Sequence, residues 1–399
     1  MRKEFVLIGL ATLAACKGGG PNTVGSNAAP AGAGATAGGS THSFVNPTEA
    51  KTYSAIGGVQ SYAYTTSEEV GRQYDQLYAG DASTARNSGI TVKYDPRDAI
   101  FEVTIKDSPA NLDQTLRFQD PLHRTDFGGF DEPQGGVPEI ANKNIQYLQA
   151  GGSSGPAVPD ASGTFLIGNA GASRNVATFF YQKPGTSTNY VTFAGYVRNA
   201  TTVSEVEDPN DPTSTRLIQR HVLERAAFAY GERTDNNAVP KTGTASFNGN
   251  MLATMVYNPL VDVQTDAPTY YQWIDGTARV DVNFAASTVA ATFAGTVFAP
   301  QLDIYTTGTH AMPQGSQFTA SGTARIDLVN AGGFVGQVSS ARFTPPGGSG
   351  TDVAIAGSSI DGAFYGPAAQ EVGGGFRIVG ANPDERIDII GTFTGAQPR

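Results

Sequence analysis

Along the C-terminal half of the chain, apolar and polar side chains alternate in one short run after another. Val280, Val282 and Phe284 alternate with Arg279, Asp281 and Asn283. Val289, Ala291, Phe293 and Val297 follow after Ala285-Ala286-Ser287. Ile326 and Leu328 alternate with Arg325, Asp327 and Val329, and Ile387, Ile389 and Phe393 with Asp388, Thr392 and Thr394. A period of two belongs to a β-strand with one dry face. The tripeptide Gly-Thr-Ala recurs at 243–245, 276–278 and 322–324, each time near the start of such a run. This predicts stacked hairpins in one antiparallel sheet from about residue 220 onward. A sheet of that length curls and closes on itself, which removes its adhesive edges, so the expectation is an up-and-down β-barrel.

The preceding half is also β-rich. Phe101, Val103 and Ile105 alternate with Glu102, Thr104 and Lys106, and Leu116 and Phe118 with Thr115, Arg117 and Gln119. Thr178–Gln182 and Tyr190–Val197 read as strands joined by a turn at Lys183-Pro184-Gly185-Thr186-Ser187. One segment, Ser67–Tyr78, has a helical signature: Ser67 as cap, Glu68 and Glu69 in the first turn, and Val70, Tyr74, Leu77 and Tyr78 on one face. Residues 204–215 are acidic and contain two prolines, and are expected to form a surface loop near a domain boundary. They lack the spacing and the glycine of a calcium loop.

Composition removes several classes. Glycine accounts for 49 of 399 residues without a three-residue period, which excludes collagen. Charged residues make up only 16%, too few for a coiled coil. The net charge is -10 and there is no Lys/Arg run, so nucleic acid is not an expected partner.

The N-terminus carries a second strong signal. Arg2 and Lys3 precede a short apolar core from Phe5 to Leu13, and the run closes on Leu13-Ala14-Ala15-Cys16. The core is too short to span a bilayer and has the flanks of a secretory signal. Its ending resembles the bacterial lipobox, in which the cysteine is acylated, palmitate being among the usual chains. Cys16 is the only cysteine, so it has no internal disulfide partner. The expected organisation is a signal peptide over 1–15 and a lipidated Cys16 with a Gly/Ala-rich tether over 16–41. As a coil that tether reaches roughly 25–30 Å. Lys17 is compatible with the outer membrane, and an anchored, tethered protein has no need of a membrane-embedded barrel.

The segment Gly362-Ala363-Phe364-Tyr365-Gly366-Pro367-Ala368-Ala369-Gln370-Glu371-Val372-Gly373-Gly374-Gly375-Phe376 predicts a strand, a tight turn at Gly366, about one helical turn from Pro367 ended by Gly373, and a following strand. It resembles the barrel signature of the transferrin-binding protein B family of Gram-negative surface lipoproteins. Gly362, Phe364, Tyr365, Gly366, Pro367, Ala369, Glu371, Gly373, Gly374 and Phe376 fall on the signature. Tyr230-Gly231, the stretch Pro240–Gly249 and Ile390–Gly395 are similar to the family's opening and closing strands.

This resemblance implies a mainly β chain, with a handle-like domain over 42–219 followed by an eight-stranded antiparallel up-and-down β-barrel over 220–399. There is room for one such lobe. The stretch Arg117–Gly129 is similar to the broader group of transferrin-binding protein-like solute-binding proteins. The implied role is capture of a host or environmental protein, or of its haem or iron cargo, beside a TonB-dependent outer-membrane transporter. Direct haem binding in the manner of a hemophore, and an adhesive or structural outer-membrane role, are the alternatives.

No catalytic constellation emerges. Gly151-Gly152-Ser153-Ser154-Gly155 fits Gly-x-Ser-x-Gly, but without the strand-to-helix turn that the nucleophile needs. His42, His123, His221 and His310 have no partners at zinc-ligand spacing. The expected ligand-binding residues are Tyr257, Tyr270, Tyr271 and Trp273, in a loop over 257–275, since Tyr and Trp are favoured on surfaces that bind proteins. Tyr305 and His310 join them as groups able to meet a haem iron. No metal and no resident cofactor are expected, with haem as the alternative ligand.

Overall fold

The structure is a computed structural model. It describes residues 49–67, 71–78, 84–97, 99–107, 112–119, 136–154, 169–208, 210–258, 270–301, 311–381 and 386–398. Cys16, His42, His123, Tyr305 and His310 lie outside the described residues. The described part is built from β-strands, with no helix among the described residues.

Three sheets account for all the strands. In the first, β1 (Lys51–Ser54), β4 (Ile90–Asp95), β5 (Ile100–Asp107) and β6 (Leu112–Gln119) lie in the order β1-β4-β5-β6. The second contains β2 (Ile56–Ser67), β3 (Gly71–Tyr78), β7 (Ile145–Ser154), β8 (Ser173–Gln182), β9 (Val191–Asp208) and β10 (Asp211–Gly231), in the order β3-β2-β10-β9-β8-β7. The third contains β11 (Thr244–Asn258), β12 (Tyr270–Asn283), β13 (Thr288–Val297), β14 (Gln317–Asp327), β15 (Gly333–Thr344), the two-residue β16 (Thr351–Asp352), β17 (Ala354–Tyr365), β18 (Glu371–Ala381) and β19 (Arg386–Ala396).

Eight strands of the third sheet close into the expected antiparallel barrel. β11 pairs with β12 on one side and β19 on the other, and β14 meets β15 to complete the ring. The alternation drives this closure. Along β13 every second residue is buried, from Val289 to Val297, and every other one is exposed. The buried set fills the barrel with Phe247, Phe293, Phe318, Phe334, Phe343, Phe364, Phe376 and Phe393. Phe293 and Phe376 stack at 4.4 Å between ring centroids. The interior is therefore a packed core, as an eight-stranded barrel of this size allows. The outward positions of β13 and β14 include Thr288, Thr292, Thr296, Gln317, Thr319 and Arg325, all exposed. Apolar inside and polar outside is the inverse of a membrane-spanning barrel.

The middle of the second sheet is buried on both faces. One face packs on the first sheet through Phe179, Tyr181, Tyr196, Phe228 and Tyr230 against Phe101 and Phe118. The other face sets Phe180, Phe193, Val197 and Ala227 against Leu252, Trp273 and Ile390 on the outside of the barrel. This double burial explains the continuous apolar runs of β8 and β9. It also buries the polar face of β19: Asp388, Thr392 and Thr394 are all 0% exposed.

Four expectations need correction. The predicted helix at Ser67–Tyr78 is a strand over its described part: β3 pairs with β2, from Ser67 on Gly71 to Ser61 on Tyr78. The unpaired edge of β2 offers a full row of hydrogen bonds, and that outweighs weak local periodicity. Within the segment expected to be a loop, residues 204–208 belong to β9 and 211–215 to β10, with Asp208 opposite Asp211. The boundary expected at 219/220 falls inside β10, whose Ala226–Tyr230 stretch is core to the second sheet. Finally, the segment after Pro367 forms a tight turn. Gly366 and Ala369 take φ of 83° and 57°, and Gly373 is an ordinary β18 residue paired with Ala363 and Thr394.

Candidate functional site at the sheet–barrel junction

Polar contacts fix the barrel against the second sheet and define what lies between them. Glu371, at the start of β18, is 3% exposed, and its carboxylate accepts the backbone N–H groups of Asn189 (2.6 Å), Tyr190 (2.7 Å) and Val191 (3.2 Å). Asp361 of β17 accepts the Ala85 N–H at 2.6 Å and faces Arg86 Nε at 3.6 Å. Arg86 Nη2 donates to the carbonyls of Gly362 (2.7 Å) and Phe334 (3.2 Å). Those two residues pair across the narrow β15–β17 seam, so one side chain from outside the barrel bridges its weakest join. Burial lowers the Arg86 pKa, and Asp361 pulls it back up. Lys143 Nζ donates to Asp275 Oδ1 and to the Gly276 carbonyl, both at 2.7 Å. Burial raises the Asp275 carboxyl, with Lys143 opposing.

Between these fixings lies a cavity of about 230 Å³. Its lining includes Val137, Pro138, Arg225, Tyr271, Trp273 and Phe298. Successive residues of β10 point to opposite faces. Glu224 turns toward the first sheet, where Arg198 Nη1 donates to its Oε1 at 2.6 Å and Gln114 meets its Oε2. Arg225 turns toward the barrel and is 0% exposed. Its Nη1 donates to the carbonyls of Glu224 (2.7 Å) and Arg198 (3.2 Å), and its Nη2 donates to Gln301 Oε1. The guanidinium sits 5.3 Å from the Tyr271 ring centroid. Arg225 Nε and the Tyr271 hydroxyl are both buried without a hydrogen-bond partner. Burial pushes the Arg225 pKa down to about 10, which leaves it cationic near neutrality. Burial pushes the Tyr271 hydroxyl well up, with Arg225 opposing, so the phenol stays neutral.

The cavity walls are tied down. Trp273 Nε1 donates to the Gly136 carbonyl at 2.7 Å, and the Tyr147 hydroxyl donates to the Pro138 carbonyl at 2.9 Å. Gln272 Nε2 donates to the carbonyls of Phe298 and Met312, and its Oε1 accepts the Met312 N–H. Trp273→Phe keeps a smaller aromatic ring beside Phe180 and removes the donor to Gly136. A loss of about 1–2 kcal/mol is expected in urea unfolding followed by circular dichroism, and an unchanged midpoint would refute the anchoring role.

The structure sorts the expected binding residues by strand alternation. Tyr257, one residue before the end of β11, and Tyr270, the first of β12, lie directly opposite one another, and both join the barrel core. Tyr271 and Trp273 line the cavity. All four are buried in strands and not displayed on a loop, while 259–269 lie outside the described residues. Arg225 was not anticipated. Its only sequence signal is a charge directly ahead of the apolar run Ala226–Tyr230 in a strand buried on both faces. His221 is a core residue: it stacks on Tyr64 at 4.6 Å and hydrogen-bonds Thr66 and Thr201. Gly151–Ser154 is part of β7, without the turn a nucleophile requires. Among the described residues there is no cluster of three metal-ligating side chains. A larger depression of about 910 Å³ is lined by residues of β11–β15, among them Thr244, Ser246, Asp281, Arg325 and Val335.

Residues 239–397 match the family described as the C-lobe and N-lobe beta barrels of Tf-binding protein B. The barrel is transferrin-binding protein B-like. Transferrin-binding protein B of Haemophilus influenzae is 29% identical over 162 residues, which is 40% of this chain and 23% of that relative. The crystal structure of a transferrin-binding protein B double mutant from Haemophilus parasuis aligns over 87% of this chain and 76% of its own, at 14% identity and a TM-score of 0.28. That of Neisseria meningitidis serogroup B aligns over 88% and 77%, at 11% identity and a TM-score of 0.23. The signature of the transferrin-binding protein B-like barrel now has physical content. Gly366 makes the turn, and Glu371 binds three consecutive amides where the β8–β9 connection enters β9.

Proposed function

We propose that this chain is an outer-membrane, cell-surface lipoprotein that captures a protein ligand, or its iron or haem cargo, for uptake by binding and without catalysis. The observation that carries this reading is the match of the whole barrel to the transferrin-binding protein B family. The lipobox-like Cys16 and the tether over 16–41 support it, since they hold a folded body at reach from a membrane. A TonB-dependent transporter is the partner such capture requires. Haem itself is the alternative cargo, through Tyr305 and His310.

The test uses intact cells that express the full chain. Labelled transferrin, haemoglobin and haemin are titrated onto the cells with and without prior protease shaving. Saturable binding of one protein probe that shaving abolishes, and that Cys16→Ser releases into the medium, is the expected result. A one-to-one Soret shift with haemin alone would transfer the reading to direct haem capture. An intracellular, unshaved protein that binds none of the probes would overturn it.

A further inference from the structure

A guanidinium taken out of water is costly unless a counter-charge or a full set of acceptors receives it. Arg225 has neither. Its hydrogen bonds reach three neutral oxygens, two backbone carbonyls and the carboxamide of Gln301. Its chain neighbour Glu224 points to the opposite face of β10 and is already paired with Arg198. Beside it, the Tyr271 hydroxyl is a second buried donor without an acceptor. One positive charge and two spare donors thus meet at the floor of a cavity whose other walls are largely apolar, among them Val137, Pro138, Trp273 and Phe298, with Gln314 and the exposed Glu139 also in the lining. An anion with two oxygens satisfies such a floor, and an apolar body satisfies the walls.

We propose that this cavity binds a monocarboxylate carried on a short apolar or aromatic stem, gripped by Arg225 and the Tyr271 hydroxyl after displacement of the Gln301 carboxamide. The carboxamide is the neutral counterpart of a carboxylate in shape. Exchange of one for the other replaces a neutral contact on Nη2 by a charge-assisted one. A volume of about 230 Å³ equals roughly eight waters at about 30 Å³ each, which suits a benzoate- or hexanoate-sized body. The inference does not depend on which protein, if any, is captured at the cell surface. The carboxylate comes either from a free small acid or from the C-terminus of a polypeptide.

Trp273 is the only tryptophan in the chain and lines the cavity, so its emission reads occupancy directly. The full chain in detergent is titrated with benzoate and hexanoate, with benzamide, with inorganic phosphate, and with a dipeptide ending in phenylalanine as free acid and as amide. A saturable change with a carboxylate, absent with benzamide and with the peptide amide, is expected. A response to benzoate or hexanoate assigns the source to small acids, and a response to the peptide acid alone assigns it to a chain end. Arg225→Met is expected to weaken binding by about tenfold or more. Gln301→Ala, which leaves the buried arginine in place, is expected to tighten it by roughly threefold or more. The proposal is overturned by equal responses to benzoate and benzamide, by a response to phosphate alone, by no response at all, or by a Gln301→Ala protein that binds no more tightly.

Discussion

Glu371→Ala is expected to remove about 3–5 kcal/mol of folding free energy, measured by urea unfolding with Trp273 emission and far-ultraviolet circular dichroism in parallel. The carboxylate is almost wholly buried and accepts three consecutive backbone N–H groups, at 2.6, 2.7 and 3.2 Å. Charge-assisted bonds of this kind are about twice as strong as neutral ones. Alanine leaves one buried and two half-buried donors with no acceptor, which costs more than the bonds themselves were worth. Glu371→Gln should fall between, since it keeps one acceptor oxygen and turns an NH₂ group toward the other donors. The contrast is Glu232, whose ion pair with Lys51 is more than a third exposed on both sides. Glu232→Ala should shift stability by less than about 1 kcal/mol. Because Glu371 belongs to the barrel and its three donors to the end of the β8–β9 connection and the start of β9, its loss should also separate the two unfolding probes. A Glu371→Ala protein within about 1 kcal/mol of the wild type would end the idea that this signature residue holds barrel and sheet together.

The barrel was legible because its outer strands live between one dry and one wet face. β13 shows this most simply, with a strict alternation of exposed and buried residues. Legibility fails where the second sheet covers the barrel. There β18 is buried at each of its first eight positions and β19 at nine of eleven, so polar residues such as Asp388 and Thr392 read as solvent-facing and are not. Burial raises the Asp388 carboxyl, with Arg386 and Arg377 opposing, which shows the cost of that hidden polar face. The Ser67–Tyr78 segment failed for a related reason: its helical pattern is local, and the edge of β2 that recruits it is not. The Glu/Asp/Pro composition of 204–215 suggested a loop because hairpin ends and loops share the same residues.

The site was half legible. Aromatic residues at 257–273 pointed to the right region, and Tyr271 and Trp273 do line the cavity. Alternation within β12 sends Tyr270 into the barrel and Tyr271 out of it, and no composition argument makes that division. Arg225 was invisible because its meaning comes from three segments far apart in sequence: β10, β12 and the stretch that ends at Gln301. A lone arginine beside a glutamate reads as a solvated pair until both faces of β10 are known to be covered.

Phe376→Ala is the second large effect, about 3–5 kcal/mol by the same unfolding measurement, and its partner residue gives it a sharper test. Phe376 lies opposite Gly391 across the β18–β19 pair, and a Cβ built on Gly391 would come within 2.0 Å of the Phe376 ring. The ring therefore occupies the space a side chain at 391 would take, and it stacks on Phe293 at the same time. The arrangement repeats at Phe334 opposite Gly362 and at Phe180 opposite Gly195, each with a ring about 2.1 Å from the absent Cβ. A glycine in a strand interior is costly for its entropy, and an aromatic laid over it restores the lost packing. Gly391→Ala alone should cost about 1–3 kcal/mol or more, because the ring has no free volume to enter. With Phe376→Ala already present, the methyl group at 391 meets a cavity in place of a ring. The double variant should then be no less stable than Phe376→Ala by itself, a coupling of at least about 1 kcal/mol. Strict additivity of the two substitutions would mean that the glycine answers to backbone conformation alone, and that its pairing with the signature phenylalanine is incidental.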